Sequence, residues 1–183
     1  MAVIHDVTEY AFNQTDHIVV DTNIWLMLHR PHPDPRRTRA QANCTQAFRK
    51  IQERNCELLL PQVVLSEFVN VVIDEHFKEA RGYSAFASKK AFRQSKPFGA
   101  CIEEIRDTVT RILDTSTPVT YAFDEDMAHE VLEGLTSADY TDLVLVQIAQ
   151  EENAILLTDD GDLASHSADL DIITGNSRVL DAG

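Results

Sequence analysis

The chain has 183 residues, 44% of them hydrophobic and 25% charged, with a formal net charge of −14 at pH 7. Those proportions exclude a disordered or fibrous chain and fit a globular protein with one core, and no run of about 18 apolar residues is present to cross a membrane. A charge of −14 argues at first against nucleic acid as a partner, because phosphate binding ordinarily calls for Lys and Arg.

The N-terminal stretch MAVIHDVTEYAFNQTDH lacks the basic start and apolar run of a secretion signal. His17–Val20 is a short β-branched run and predicts a buried strand. Thr22–His29 predicts a helix, ended by the prolines Pro31, Pro33 and Pro35. His29 and His32 stand two apart in HRPH, but no second ligand pair follows, so a polar loop is expected there rather than zinc.

A helix is expected over Thr38–Arg54, then a strand over Leu58–Leu60 that Pro61 stops. Pro61 also suits the entry to the next helix, Gln62 to about Phe77. Ser84–Ser95 and Gly99–Leu113 predict two further helices separated by Lys96-Pro97-Phe98. Pro118–Tyr121 reads as a short strand, followed by helices over Asp124–Leu132 and Asp139–Glu152. Ala154–Leu157 and Leu170–Ile173 are the last expected strands. Cys44, Cys56 and Cys101 are widely spaced and odd in number; they read as reduced thiols of a cytoplasmic protein, not as a disulfide framework.

Short apolar strands alternating with helices predict an α/β fold with a central, mainly parallel sheet covered on both faces. The whole chain, 1–183, reads as one domain with a basic helical segment at about 75–100. In such folds ligands gather beyond the carboxyl ends of the strands. Four acids close apolar runs: Asp21 in HIVVDTN, Glu67 in PQVVLSEF, Asp142 in TDLVLVQIA and Asp160 in AILLTDDGDL. A carboxylate set against Val, Leu and Ile requires a partner or a raised pKa. Four that converge repel one another unless a divalent cation stands among them, and hard oxygen donors suit magnesium or manganese.

Each acid also has a plainer reading. Asp21 stands where a helix N-cap belongs, although Thr22 and Asn23 offer capping oxygens too. Glu67 shares a helical face with Val63, Val64 and Val71, so it is either a ligand or an inward Glu paired to an Arg. Asp142 lies in the first turn of a helix that Asp139 is placed to cap, where the dipole favours an anion in any case. Asp159, Asp160 and Asp162 crowd one loop, and a turn at Gly161 accounts for one or two of them. An EF-hand is a poor match, since the spacing and final Glu are missing.

The charge is uneven. Residues 1–111 carry 15 basic and 14 acidic side chains, whereas residues 112–183 carry one basic residue, Arg178, and 16 acidic ones. Two basic clusters stand out, Arg30, Arg36, Arg37 and Arg39, and then Lys89, Lys90, Arg93 and Lys96. Arg36, Arg37, Lys89, Lys90 and Arg93 are candidate contacts for a polyanion, weighed against ordinary solvated helix faces. Tyr83, Phe86, Phe92 and Phe98 interleave with the second cluster; aromatics at that spacing are expected in a helix core before they are expected to stack on bases.

Taken in order, these motifs resemble the PIN-domain nucleases, specifically the VapC-like ribonuclease toxins of bacterial toxin–antitoxin pairs. VVDTN is similar to the family's opening strand and first acid, Asp21; VLSEF to the helix with its Glu, Glu67. TDLVLVQIA is similar to the helix opened by the third acid, Asp142, and LLTDDGDL to the closing strand with Asp160 and Asp162 behind Thr158. The resemblance runs from residue 17 to about 175. It departs at Leu163, where the family often has Phe, at Asp139 and Tyr140, where many members have small residues, and in the longer, more basic stretch Glu75–Pro97.

The resemblance implies a Rossmann-like three-layer α/β/α PIN domain. It implies that Asp21, Glu67, Asp142 and Asp160, with Asp162, hold Mg²⁺ or Mn²⁺, and that Thr22, Asn23 and Thr158 orient the carboxylates or the substrate. The activity implied is metal-dependent endoribonuclease cleavage, with RNA as substrate, a cognate antitoxin as partner and a homodimer as assembly. A PIN nuclease of RNA processing and a non-catalytic PIN-like interaction module are the alternatives. A phosphoryl-transfer domain with a nucleophilic Asp21 fits less well, because Asn23 stands where a second Asp belongs and no lysine follows Lys96.

Overall fold

The computed structural model describes residues 2–30, 35–83, 86–121, 124–135, 138–166 and 169–181, with the side chains of 35–37 and 83 also outside the description. Six strands, β1 (Val3–Asp6), β2 (His17–Val20), β3 (Glu57–Pro61), β4 (Thr117–Val119), β5 (Ile155–Leu157) and β6 (Asp171–Thr174), form one sheet. Their order is β1-β6-β5-β2-β3-β4, and every pairing is parallel. Ile18, Val19 and Val20 are all fully buried. Successive strand residues point to opposite faces, so both faces of β2 are covered.

The helices are α1 (Thr22–His29), α2 (Pro35–Arg54), α3 (Gln62–Tyr83), α4 (Lys89–Arg93), α5 (Lys96–Leu113), α6 (Glu125–Gly134), α7 (Tyr140–Glu151), α8 (Gly161–His166) and α9 (Ser177–Leu180). The chain moves one way along the sheet through β2, β3 and β4. It then returns to β5 on the other side of β2 and moves on to β6. Right-handed crossovers in opposite directions put their helices on opposite faces. The strands β2 and β5 are neighbours at the point where the winding reverses, with Val20 paired to Leu157. A crevice opens beyond the carboxyl ends at such a point.

Most elements fall where the apolar pattern puts them, and five differ, the short α9 among them, which the sequence reading leaves out. Strand β1 is absent from the sequence reading: VIHD is polar at half its positions, and as an edge strand it leaves Val3 exposed. Pro97 does not separate two helices but sits in the first turn of α5, where its missing N–H has no partner to lose. The expected helix Ser84–Ser95 is the shorter α4; Ser84 and Ala85 lie outside the described residues, and Ser88 caps α4 by accepting from Ala91 N–H at 3.2 Å. The DDGD loop becomes α8 after Asp160.

Candidate active site

Asp21 directly follows β2 and is only 5% exposed. Its amide donates to Leu157 O at 3.0 Å, which fixes it against the end of β5. It holds the N-cap position of α1, yet its carboxylate makes no capping hydrogen bond. The plain capping reading therefore does not account for it. Instead Thr158 Oγ1 donates to Asp21 Oδ2 at 2.7 Å. Burial pushes the Asp21 carboxyl up to about 6, helped by the charges of Glu67 and Asp160, while Thr158 and the Asn23 amide pull the other way.

Glu67 lies in α3, half-buried, and its Oε2 accepts from Thr22 Oγ1 at 2.9 Å. Thr22, the first residue of α1, is buried and thus links the first acid's helix to the second acid. Asp142 lies in the first turn of α7, half-buried, with Asp139 as the N-cap accepting from its amide at 3.0 Å. Its carboxyl is pushed up to about 7, by burial first and then by the charges of Asp139, Asp160, Asp21 and Glu67. Asp139 caps α7, as SADYTD predicts, and its charge acts on Asp142.

Asp160 follows β5. Its amide donates to Thr158 Oγ1 at 3.0 Å, and its Oδ1 accepts from the amides of Asp162 and Leu163 at 2.8 and 3.3 Å. One oxygen of this acid caps α8, while its charge acts on both Asp21 and Asp142. Asp162 is exposed in the first turn of α8, and its charge is not among those that shift either carboxyl. Asp159 turns away to bind the end of β6: its Oδ1 accepts from Gly175 N–H at 2.7 Å and Thr174 Oγ1 at 3.2 Å. The crowding of acids in this loop is therefore divided between two structural tasks, the cap of α8 and the tie to β6, and one shared field.

Four acids from β2, α3, α7 and the β5–α8 junction thus lie within electrostatic reach of one another. Among the described residues, no three acidic, His or Cys side chains are drawn into a closed ion-holding group. The donor set nonetheless fits a hard divalent cation: the oxygens are carboxylate oxygens, and their mutual repulsion is what such a cation relieves.

The basic candidates lie elsewhere. Lys89 is paired with Asp74, while Lys90 and Arg93 are exposed on α4. The side chains of Arg36 and Arg37 lie outside the described residues. Phe92 is 1% exposed and packs its ring against Phe77, Phe86 and Phe98 at 5.5–5.8 Å, so these aromatics form core rather than a stacking platform.

The sequence matches the PIN domain family over residues 18–168. No curated protein sequence matches the chain. Among solved structures, VapBC2 from Rickettsia felis bound to a DNA fragment from their promoter has a similar fold. Its TM-score is 0.52 at 16% identity, covering 85% of this chain and 96% of that one. PAE2754 from Pyrobaculum aerophilum is similar with a TM-score of 0.51 at 12% identity, covering 91% of this chain and 96% of that one.

Proposed function

We infer the function of this chain from one premise: it belongs to the PIN-domain family. It is a metal-dependent endoribonuclease and acts as the toxin of a toxin–antitoxin pair in the cytoplasm. The observation that carries this reading is the gathering of four acids where β2 and β5 end, with burial first and their mutual charges second raising Asp21 to about 6 and Asp142 to about 7. Acids gathered at a cost in repulsion are a mark of functional sites.

Asp21, Glu67, Asp142 and Asp160, with Asp162 as a further candidate, would hold Mg²⁺ or Mn²⁺. When bound, such an ion acidifies water and offsets charge developing on the phosphate. The chain's own groups do the rest. Thr158 and Thr22 hold the carboxylates of Asp21 and Glu67 in fixed orientations by donating hydrogen bonds. Asn23, exposed in the first turn of α1, would meet the scissile phosphate through its side-chain amide. A carboxylate of the set accepts the proton of the attacking water. In-line attack on phosphorus leaves a 3′-hydroxyl and a 5′-phosphate.

The antitoxin would be a basic partner, drawn by the −15 balance of residues 112–183. The fold shared with VapBC2 makes a partner protein the first to seek, and a homodimer the first assembly to test.

The test is cleavage of a labelled structured RNA in Mg²⁺, Mn²⁺ or EDTA by the wild type and Asp21→Asn. Cutting that requires metal and disappears in Asp21→Asn supports the nuclease. No cutting in any metal by a folded protein assigns the chain to the interaction-module reading.

A further inference from the structure

We propose that the exposed cations Lys78, Arg81, Lys90, Arg93 and Lys96 form a docking surface for the phosphate backbone of single-stranded RNA, apart from the acidic crevice. The choice of RNA rests on the ribonuclease reading; the surface itself rests on the following geometry.

Residues 78–96 carry six cations and a single acid, Glu79, in a chain of net charge −14. Asp74, Phe77, Lys78 and Arg81 recur at the three- and four-residue spacing that puts side chains on one face of a helix. That face of α3 is the one α4 covers, because Asp74 pairs with Lys89 and the Phe77 ring lies 5.8 Å from Phe92. Lys78 and Arg81 continue the same face beyond the contact and are exposed. On α4, Lys90 and Arg93 stand three apart and are exposed, while Phe92 anchors the helix from beneath. Lys96 follows at the first residue of α5.

Among the described residues, Lys89 is the one cation of this segment with an ion-pair partner. Neither α4 nor α5 has an acid in its first turn, where the helix dipole favours one, and Lys96 instead places a cation there. This arrangement works against local stability and concentrates positive potential. The surface reads backbone rather than bases, because the rings that would stack on bases are packed on one another. Glu67 and Arg81 share α3 and are fourteen residues apart, so the surface lies about 20 Å along the helix from the crevice. A crevice of repelling acids attracts no polyanion unaided, and a distant cationic platform supplies that attraction.

The experiment measures binding in EDTA, so that no cutting intervenes: fluorescence anisotropy of a labelled single-stranded RNA over a salt series. The triple variant Lys90→Gln, Arg93→Gln, Lys96→Gln and the pair Lys78→Gln, Arg81→Gln are compared with the wild type. Each lost phosphate contact flattens the slope of log affinity against log salt by about 0.7, so the triple loses about 2. Arg54→Gln, an exposed cation at the far end of α2, keeps the full slope. Unchanged slopes in both variants, with wild-type melting, overturn the proposal. So does displacement of the RNA by polyglutamate at equal charge concentration, which assigns the surface to an acidic protein. Cleavage in Mn²⁺ is recorded in parallel. A flattened slope without cleavage by the wild type removes the nuclease reading and leaves the surface; cleavage with unchanged slopes does the reverse.

Discussion

Thr158 and Asp21, separated by 137 residues, are joined by a 2.7 Å hydrogen bond from the threonine hydroxyl to the carboxylate Oδ2. The same hydroxyl oxygen accepts from the Asp160 amide at 3.0 Å. One fully buried side chain therefore ties the ends of β2 and β5 and couples two acids of the crevice. Thr158→Val keeps the shape and removes both bonds, leaving Asp21 buried with one donor fewer. The expected loss is about 1–3 kcal/mol of stability, read by denaturant unfolding. RNA cleavage falls with it, and Thr158→Ser restores both. A Val variant as stable and active as wild type would remove the positioning role.

The raised carboxyls predict how the metal-free protein responds to pH. Folded Asp21 keeps its proton up to about pH 6, while an ordinary Asp releases it near 3.8. Between these values the folded state binds more protons, so stability falls as pH rises; above about 6 the loss is complete. For one buried carboxyl this amounts to about 3 kcal/mol at most. Asp142, raised to about 7, acts in the same direction and carries the decline toward neutrality. In EDTA the melting midpoint is expected to be higher at pH 5 than at pH 7.5, with the difference reduced in Asp21→Asn. A midpoint that climbs steadily over that range in the wild type contradicts the assignment.

Metal should reverse that penalty. At pH 7.5, Mn²⁺ at a hundred times its dissociation constant stabilises a single-site protein by about 2.7 kcal/mol. Asp21→Asn is expected to melt higher than wild type without metal, because a buried charge is gone, and to lose most of the Mn²⁺ response. The two effects have opposite signs, so a general weakening of the fold cannot imitate them. Differential scanning calorimetry with and without Mn²⁺ reads both.

The strands that carry the site were legible because each holds an unbroken apolar run: Ile18–Val20, Leu58–Leu60 and Leu156–Leu157 are buried, and burial of that kind leaves a plain trace in composition. The helix cap at Asp139 was legible from local sequence, whereas Asp124, expected as the first residue of its helix, is its cap. Strand β1 was not, since its pairing to β6 is satisfied by backbone groups while Val3 stays in solvent. The positions of Asp21, Glu67, Asp142 and Asp160 on strand ends and helices followed from pattern; the Thr22–Glu67 and Thr158–Asp21 bonds did not, because contacts across 45 and 137 residues leave no spacing to read. Asp160 was expected as a crevice acid, and its second task as the cap of α8 emerged only with the helix itself.

Phe92 offers a test of the fold that is independent of the acids. Its ring is 1% exposed and meets Phe77, Phe86 and Phe98, which come from α3, the segment before α4, and α5. Helix α4 has five residues, too few to persist without tertiary contacts. Phe92→Ala removes the anchor and leaves a cavity, with an expected cost of about 3–5 kcal/mol if the loss is felt by the whole domain. If instead α4 detaches locally, the global midpoint moves less and the segment becomes a protease target. Trypsin separates the two outcomes, because Lys89, Lys90 and Arg93 lie in the segment that would open, whereas Lys96 precedes Pro97 and is not cut. Cleavage there is expected to accelerate in Phe92→Ala while the crevice retains its Mn²⁺ response. A variant with unchanged proteolysis and unchanged melting would mean that the aromatic cluster does not hold α4 in place.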